Sequence, residues 1–374
     1  MKIIIDKNIP FIQGIFEPFA EVVYKSGAEI SRSDLLDANA LVIRTRTICN
    51  ETLLRGTQVK FIASATIGSD HIDTDFCRKN NIAWANASGC NSLAVAQYVL
   101  TALLHIAQKT DLQLDKATIG IIGVGNIGKK VADICHILGM NVLLCDAPRK
   151  HNENETSFLD IEELAENSDI ITLHVPLNMD GKYKTKHLFN EKMFARTKAK
   201  IFINTSRGEV VDTVSLKSAI TNNKIDFSVI DVWENEPEID KNLLSQVSLA
   251  TPHIAGYSHE GKIAGTRMAV QAVSKFFNFE LDNSQIGNLP EIEEKIIVDC
   301  KEKSLAEILQ NIVKSVYDIS FDSDLLKHNY ENFEHLRTNY KFRREFAAHK
   351  IYTKNISAEQ KKVLNLLQFN TVNY

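Results

Sequence analysis

A glycine-rich turn lies between an apolar run and a helical pattern near the middle of this 374-residue chain. The run at 117–122 is rich in β-branched residues, and Gly123, Gly125 and Gly128 follow it at once. Residues 126–138 then repeat apolar side chains with a helical period. This order of strand, turn and helix predicts the first βα unit of a doubly wound parallel sheet.

Each glycine of this turn has a separate role in a dinucleotide site. Gly123 permits the tight turn, Gly125 lets the backbone approach a pyrophosphate, and Gly128 allows the helix to pack closely on the strand. The pyrophosphate then lies at the helix N-terminus, beside Asn126 and Ile127. Taken alone, the turn is equally compatible with an ordinary tight βα connection.

An acidic residue follows the next apolar run at the distance that a dinucleotide site requires. The run at 141–145 ends at Asp146, about 20 residues after the glycines, where a carboxylate can bind the adenosine ribose. This position favours NAD over NADP. Arg149 and Lys150 could meet a 2′-phosphate, but we expect them to be solvated loop charges.

Length, charge and cysteine content exclude several classes of protein. A chain of 374 residues is too long for one core and predicts two or three domains. Its 43 basic and 47 acidic residues give a net charge of −4, so neither a nucleic acid nor an acidic membrane is an expected partner. The six cysteines show neither disulfide-framework nor metal-ligand spacing, which predicts reduced thiols, no metal site and a cytoplasmic location.

The most apolar segment does not resemble a membrane span. Residues 92–109 include Gln97, Tyr98 and His105, which predicts a buried helix instead. The N-terminal residues 1–6 resemble a short strand and not a signal peptide.

The pattern of predicted strands divides the chain. Short strands at 2–6, 41–44, 60–65 and 82–85 predict a small α/β domain, and those at 169–174, 200–204, 226–231 and 247–250 continue the doubly wound sheet. A long amphipathic segment, 258–279, is expected to return to the first domain and leave a ligand cleft. We therefore predict three domains: 1–92 with 257–284 binding substrate, 93–256 binding NAD, and 285–374 at the C-terminus. Helical patterns occur there at 305–317 and 331–344.

Three residues after the later strands have the chemistry of a hydride-transfer site. Arg207 follows the run at 201–204 and offers a planar fork that can bind a carboxylate through two hydrogen bonds. Glu236 and His253 follow the next two strands, and a carboxylate beside the imidazole would fix its tautomer and favour its protonated form. The alternatives are an arginine paired at a strand end and a structural histidine.

Five segments together resemble the D-isomer-specific 2-hydroxyacid dehydrogenases. They are Gly123–Gly128 with Asp146, His174–Leu177, Asn204–Gly208, Asp231–Pro237 and Thr251–Gly256. The resemblance implies that Arg207 anchors the substrate carboxylate, that Glu236 orients His253, and that His253 exchanges the proton. It also implies NAD contacts at Val175, Thr205, Ser206, Arg207, Asp231 and Gly256.

Further segments narrow the resemblance within this family. They are Leu41–Arg46, Ala65–Asp73, His253–Lys262 and Asn339–Glu345. The members that share them oxidise 4-phospho-D-erythronate in pyridoxal 5′-phosphate biosynthesis, and Thr45, Thr66 and Tyr257 are then expected at the substrate. The implied architecture is a Rossmann-type NAD domain, a smaller flavodoxin-like substrate domain, and a C-terminal α+β domain that forms a homodimer.

A phosphorylated four-carbon acid needs a second basic site, because its two anionic ends lie about 6 to 7 Å apart in an extended chain. Arg44 and Arg46, on either side of Thr45, are the expected ligands. Arg343 and Arg344, reaching in from a partner subunit, are the second possibility.

Two other functions remain open at the level of sequence. One is another D-2-hydroxyacid dehydrogenase, such as 3-phosphoglycerate dehydrogenase, whose tail would be a regulatory βαββαβ module. The other is an NADH-sensing binding protein on the same fold, because fold alone does not fix function.

Overall fold

A computed structural model describes residues 1–153, 156–281 and 286–374. The strands are β1 (Lys2–Asp6), β2 (Glu21–Lys25), β3 (Ala40–Ile43), β4 (Phe61–Ser64), β5 (Ala83–Asn86), β6 (Thr118–Ile122), β7 (Asn141–Cys145), β8 (Ile170–Leu173), β9 (Ile201–Asn204), β10 (Phe227–Ile230), β11 (Leu249–Ala250), β12 (Ile296–Asp299), β13 (Lys350–Lys354) and β14 (Asn370–Asn373). The helices are α1 (Glu51–Leu54), α2 (Thr74–Lys79), α3 (Ser92–Lys109), α4 (Asn126–Ile137), α5 (Ala147–Asn152), α6 (Ile161–Asn167), α7 (Glu191–Arg196), α8 (Thr213–Thr221), α9 (Lys241–Gln246), α10 (His259–Phe277), α11 (Leu305–Val316), α12 (Ile319–His328), α13 (Phe333–Thr338) and α14 (Ala358–Leu366).

The chain forms two compact units. The first contains residues 1–91 and 258–290, and the second contains 92–257 and 291–374. The long helix α10 belongs to the first unit. The predicted division after residue 284 falls at 282–285, which lie outside the described residues. The tail, predicted as a third domain, packs within the same unit as residues 92–257.

The first unit is built on a five-stranded parallel sheet in the order β2-β1-β3-β4-β5. This is the flavodoxin-like order, with its topological switch between β1 and β3. Alternate side chains of β1 enter different cores: Ile3 and Ile5 pack on one side, and Ile4 packs on the other. Both faces are covered, as a parallel sheet requires. The edge strand β2 is only half-buried, and its weak apolar pattern does not predict a strand.

The second unit contains a six-stranded parallel sheet in the order β11-β10-β9-β8-β6-β7. The chain runs from β6 outward to β7, then returns past β6 to β8, so the switch point lies between β6 and β8. Ligands of open α/β sheets bind outside the carboxyl ends of strands at such a point. The architecture is the predicted Rossmann-type doubly wound sheet.

The tail adds a small parallel sheet in the order β12-β13-β14. Helix α11 packs against α3, and its buried residues join the core that also contains β6 and α4. The predicted helix at 331–344 is wrong over its second half: α13 ends at Thr338, and residues 339–344 are not helical.

Among the described residues, no helix is both long enough and apolar enough to cross a membrane. All six cysteines are free thiols, and five of them are buried.

Candidate active site

The glycine turn lies at the switch point of the six-stranded sheet. Gly123 has a φ of 89°, and a Cβ atom there would come 2.6 Å from the carbonyl oxygen of His174. A Cβ atom on Gly128 would overlap the Gly123 carbonyl oxygen. These two positions therefore need glycine for the packing of α4 against β6 and β8.

The third glycine faces open space. A Cβ atom at Gly125 would have no neighbour within 4 Å, and Gly125 is the residue that precedes Asn126 at the start of α4. The backbone is thus accessible where the exposed N–H groups of a helix N-terminus can bind a pyrophosphate. This arrangement fits a dinucleotide.

Asp146 holds the glycine turn as well as the next helix. Its Oδ2 accepts a hydrogen bond from the Val124 backbone N–H at 2.8 Å, and its Oδ1 accepts one from that of Arg149 at 3.1 Å. A carboxylate accepts about four hydrogen bonds, so capacity remains for a ribose. The Arg149 side chain is bound to Glu153 at 3.0 Å and donates to the Val124 carbonyl. Arg149 is therefore tied locally and is not a solvated loop charge.

His174 links the ends of β8 and β9. Its Nε2 lies 2.9 Å from the hydroxyl of Thr172, and its Nδ1 lies 3.3 Å from that of Thr205. Burial lowers the pKa of His174 to about 3, so the ring is neutral near pH 7. Val175 follows this residue directly, and Ser206 is held by Asn204, which accepts from both its backbone N–H and its hydroxyl. The expected NAD contacts at Val175, Thr205 and Ser206 therefore lie in neighbouring loops.

Arg207 is placed by a close contact between two backbones. A Cβ atom on the next residue, Gly208, would overlap the backbone of Trp233, in the loop that follows β10. The guanidinium of Arg207 is half-buried and donates to the Ser206 carbonyl at 2.8 Å. Because β9 and β10 are neighbours, Arg207 lies at the same sheet edge as the loop that carries Glu236.

Asp231 organises the loop of the reacting histidine. Its carboxylate accepts hydrogen bonds from the backbone N–H groups of Ile254 at 2.8 Å and Ala255 at 3.0 Å. The hydroxyl of Thr251 donates to it at 2.6 Å and lies 2.6 Å from the hydroxyl of Tyr98. Burial raises the pKa of Asp231, and these hydrogen bonds work in the opposite direction. Gly256 ends the same loop.

Glu236 and His253 form a direct pair, as the sequence predicts. His253 Nδ1 lies 2.8 Å from Glu236 Oε2, while Glu236 Oε1 accepts the Trp233 backbone N–H at 3.0 Å. His253 has a φ of 58°, an unfavourable backbone conformation that its surroundings must hold. Burial alone would raise the pKa of Glu236, but the charge and hydrogen bond of His253 lower it overall. Glu236 is therefore an ionised carboxylate that orients the imidazole of His253.

One further side chain reaches this carboxylate and has no local signal in the sequence. Arg337, on α13 of the tail, lies with its Nη1 3.5 Å from the same Oε2 of Glu236. The two residues are 101 positions apart, so periodicity and spacing could not bring them together. Sequence reasoning likewise missed the structural roles of His174 and Tyr98.

The tail also contacts the loop after His253. Tyr257 packs against the rings of Tyr340 and Phe342, with centroid distances of 6.2 and 5.6 Å. Arg343 donates to the carbonyl oxygens of Ile254 and Ala255, and its guanidinium lies over the ring of Tyr317. The structure thus uses Arg343 within its own chain.

The expected substrate residues of the first unit lie at the carboxyl edge of its sheet. Arg44, Thr45 and Arg46 follow β3, and Thr66 follows the neighbouring strand β4. Arg44 donates to the carbonyl of Asn8, which follows β1, at 3.1 Å. Arg44 therefore lies beside the switch point between β1 and β3, where a ligand is expected, and Thr66 follows the next strand.

Among the described residues, one cluster of a histidine and two carboxylates has the composition of a metal site. His187, Asp212 and Glu234 approach one another, but Glu234 binds His187 at 2.7 Å and the Thr213 backbone N–H at 2.9 Å. Asp212 caps α8 through Ser215. Because these contacts order the start of α8, we assign the cluster a structural role.

Comparison with known families agrees with this geometry. Residues 102–255 match the NAD-binding domain of the D-isomer-specific 2-hydroxyacid dehydrogenases, and residues 289–367 match a domain of unknown function, DUF3410. Among solved structures, D-lactate dehydrogenase from Aquifex aeolicus has a TM-score of 0.60 at 24% identity and covers 77% of this chain and 100% of its own. D-mandelate dehydrogenase from Rhodotorula graminis has a TM-score of 0.63 at 22% identity, over 74% and 94%. These two show the fold.

Curated relatives match almost the whole chain. An erythronate-4-phosphate dehydrogenase of Bacteroides fragilis is 46% identical over 94% of this chain and 99% of its own length. One of Escherichia coli is 38% identical over 100% and 99%. The chain therefore belongs to the D-isomer-specific 2-hydroxyacid dehydrogenase family, whose members are NAD-dependent oxidoreductases acting on CH–OH groups.

Proposed function

We propose that this 2-hydroxyacid dehydrogenase oxidises 4-phospho-D-erythronate to 2-oxo-3-hydroxy-4-phosphobutanoate, a step of pyridoxal 5′-phosphate biosynthesis. The observation that carries the chemistry is the 2.8 Å contact between His253 and Glu236. The names of the relatives that match the full chain support the substrate.

The Glu236 and His253 pair supplies the proton acceptor. When Nδ1 donates to Glu236, Nε2 is left as the basic nitrogen and can take the proton of the substrate 2-hydroxyl. The guanidinium of Arg207 binds the substrate carboxylate and keeps its charge throughout. Bound NAD supplies the acceptor for the hydride that leaves C2. The C2–H bond and the O–H bond break as the C2=O bond forms, which balances the oxidation.

The cofactor would be held by residues at the carboxyl edge of the six-stranded sheet. We assign the pyrophosphate to Gly125, Asn126 and Ile127, and the ribose to Asp146. The further NAD contacts follow the family pattern at Val175, Thr205, Ser206, Arg207, Asp231 and Gly256.

Residues of the first unit are proposed to recognise the other end of the substrate. Arg44 and Arg46 supply positive charge for the phosphate, and the hydroxyls of Thr45 and Thr66 supply hydrogen bonds. Tyr257 completes the proposed substrate set. Arg343 is not needed for this role, because its guanidinium is bound to backbone carbonyls.

The tail argues against the alternative of 3-phosphoglycerate dehydrogenase. That alternative predicts a βαββαβ module, whereas this tail has three parallel strands, with α11, α12 and α13 between β12 and β13 and α14 before β14. The paired Glu236 and His253 argue against a binding protein that only senses NADH, since binding needs no proton acceptor.

A homodimer and a cytoplasmic location complete the proposal. On the tail sheet, Ile297, Tyr352 and Val372 are cross-strand neighbours on one face, and Ile297 is 50% exposed. An apolar row of this kind fits a self-complementary contact with a second copy. The free cysteines support a reducing compartment.

A substrate panel tests the proposed activity. The purified full-length chain is incubated with NAD and 4-phosphoerythronate, 3-phosphoglycerate, D-lactate or glycerate, and NADH formation is followed while the oxo product is trapped. We expect the highest kcat/KM with 4-phosphoerythronate. A higher value with 3-phosphoglycerate would overturn the substrate assignment, and no NADH with any of them would overturn the proposed function.

A further inference from the structure

One carboxylate oxygen of Glu236 contacts two nitrogen-bearing side chains. Its Oε2 lies 2.8 Å from Nδ1 of His253 and 3.5 Å from Nη1 of Arg337. The side chains are only 17% exposed for Glu236, 25% for His253 and 19% for Arg337, so solvent screens these charges less than it screens surface pairs.

Arg337 is held in place by the packing of its helix. On α13, Phe333 is buried in the core that also contains Trp233 and Ile239, from the segment on either side of Glu236. Leu336 packs against the same core. The tail helix is therefore anchored to the loop that carries the carboxylate, and Arg337 does not reach it as a mobile surface side chain.

The charged groups around the pair come from several elements. The carboxylate of Asp231 faces His253 from the end of β10. Arg343 follows α13 and binds the carbonyls of Ile254 and Ala255, while Asp322 on α12 faces Arg343. Arg337 contributes a positive charge directly on the shared carboxylate oxygen, where it opposes protonation of His253.

We propose that Arg337 is a positioning residue of the hydride-transfer site: it binds Glu236 beside His253 and limits how strongly this carboxylate retains a protonated imidazole. This inference rests on the proposed proton acceptor role of His253. Alcohol oxidation needs the neutral imidazole at the start of each cycle. A cation on Glu236 keeps the carboxylate ionised and oriented, yet makes the proton easier to release.

Removing this cation has a predictable sign. Without Arg337, the protonated form of His253 loses a repulsive neighbour, so the acidic limb of the kcat/KM profile moves to higher pH. Two charges that share one carboxylate oxygen lie within roughly 6 Å, and an effective dielectric constant of about 20 then gives a shift of up to about two pH units. Glu236→Gln removes a carboxylate that attracts the protonated form of His253, so the acidic limb of the kcat/KM profile moves to lower pH.

The experiment compares pH profiles of the full-length protein. We measure NADH formation for wild type, Arg337→Gln, Arg337→Lys and Glu236→Gln, with Arg196→Gln as a control that removes an exposed arginine paired with Glu166. We expect an upward shift of about one to two pH units in Arg337→Gln, a smaller shift in Arg337→Lys, which keeps a charge, and the wild-type profile in Arg196→Gln. If Arg337→Gln does not fold by circular dichroism, Arg337→Met keeps the aliphatic packing and replaces it.

A titration independent of turnover completes the test. The pH midpoint of His253 is followed by NMR with labelled histidine in the presence of NADH, and the resonance is assigned by its loss in His253→Gln. The pH midpoint of His253 and the acidic limb of the kcat/KM profile should both move to higher pH in Arg337→Gln. An unchanged or lower midpoint overturns this inference even if the enzyme is active. If the wild type turns over none of the substrates, the proposed function fails while the midpoint still decides the role of Arg337.

Discussion

Gly208 packs directly against the backbone of Trp233, so closely that a Cβ atom at position 208 would overlap the Trp233 carbonyl group. This contact joins the loop after β9, which carries Arg207, to the loop after β10, which carries Glu236. The spacing between the proposed carboxylate anchor and the histidine partner therefore depends on a position where only glycine fits.

Gly208→Ala should separate these two loops. Because the overlap involves backbone atoms that no rotamer change can relieve, we expect a loss of about 1–3 kcal/mol in the free energy of unfolding. Activity should fall at least tenfold in the fraction that remains folded. Urea unfolding followed by circular dichroism, together with NADH formation, measures both effects.

Gly125→Ala is the matched glycine variant. Its new methyl group would meet no atom within 4 Å, so stability should stay within about 0.5 kcal/mol of wild type. The methyl group would instead lie where we propose that the pyrophosphate approaches, and the Kd for NADH should rise at least tenfold. Unchanged NADH affinity in Gly125→Ala would contradict the proposed cofactor position.

Arg44→Ala should reduce preference for phosphorylated substrates. Loss of a charge-assisted hydrogen bond to phosphate costs about 1.5–3 kcal/mol, so kcat/KM with 4-phosphoerythronate should fall about 10- to 100-fold. The value with unphosphorylated erythronate should change less than threefold. Arg78→Ala, which removes an exposed arginine paired with Asp75, controls for the loss of charge. Equal losses on both substrates in Arg44→Ala would contradict the phosphate role.

His174 should make the fold sensitive to acid. The folded protein holds this residue neutral down to about pH 3, whereas the unfolded chain protonates it near its ordinary pKa of 6.5. The unfolded state therefore binds more protons between these values, and stability falls as the pH falls through this window. Between pH 6.5 and 5 the contribution of this one residue amounts to about 1.5–2 kcal/mol.

Unfolding curves at several pH values check this prediction. His174→Gln should lose stability less steeply than wild type below pH 6.5, whatever its stability at pH 7. His328→Gln removes a surface histidine and should keep the wild-type slope. If the free energy of unfolding falls with pH equally steeply in wild type and His174→Gln, the buried His174 ring is not the source of the acid sensitivity.

The open face of the tail sheet should mediate self-association. Tyr352→Glu puts a charge in the centre of the row formed with Ile297 and Val372, so we expect a monomer in sedimentation velocity at micromolar concentration. Val214→Lys changes an exposed apolar residue on α8 and should leave a dimer. Deletion of the whole tail is a poorer test, because it would uncover the core around α3. A dimeric Tyr352→Glu would place the interface elsewhere.

Local patterns predicted the parts of this protein that depend on neighbouring residues in the chain. The strand, glycine turn and helix from β6 to α4 were evident because their periods and turn residues are contiguous, and helix α3 has the predicted bounds. The pairing of Glu236 with His253 followed from the rule that parallel strands end at one edge. Strand β2 was missed because an edge strand that is half-buried has a weak apolar pattern.

Contacts between distant segments could not be predicted in this way. Arg337 lies 101 positions from Glu236 and belongs to a helical pattern that also continued, wrongly, past Thr338. The chain leaves the helix there, and Arg343 binds the carbonyls of Ile254 and Ala255 instead. Such docking depends on tertiary packing, which overrides helix propensity.

Transfer of deuterium from C2 of the substrate tests the central claim most directly. With 4-phospho-D-[2-²H]erythronate and NAD, the wild type should form NADH that carries the deuterium, detected by mass spectrometry. His253→Gln should form it at least 100-fold more slowly, because general base catalysis contributes about 10²- to 10⁴-fold, while NADH affinity stays within threefold. NADH without deuterium, or a His253→Gln variant with more than a tenth of the wild-type rate, would contradict hydride transfer at a site where His253 accepts the proton.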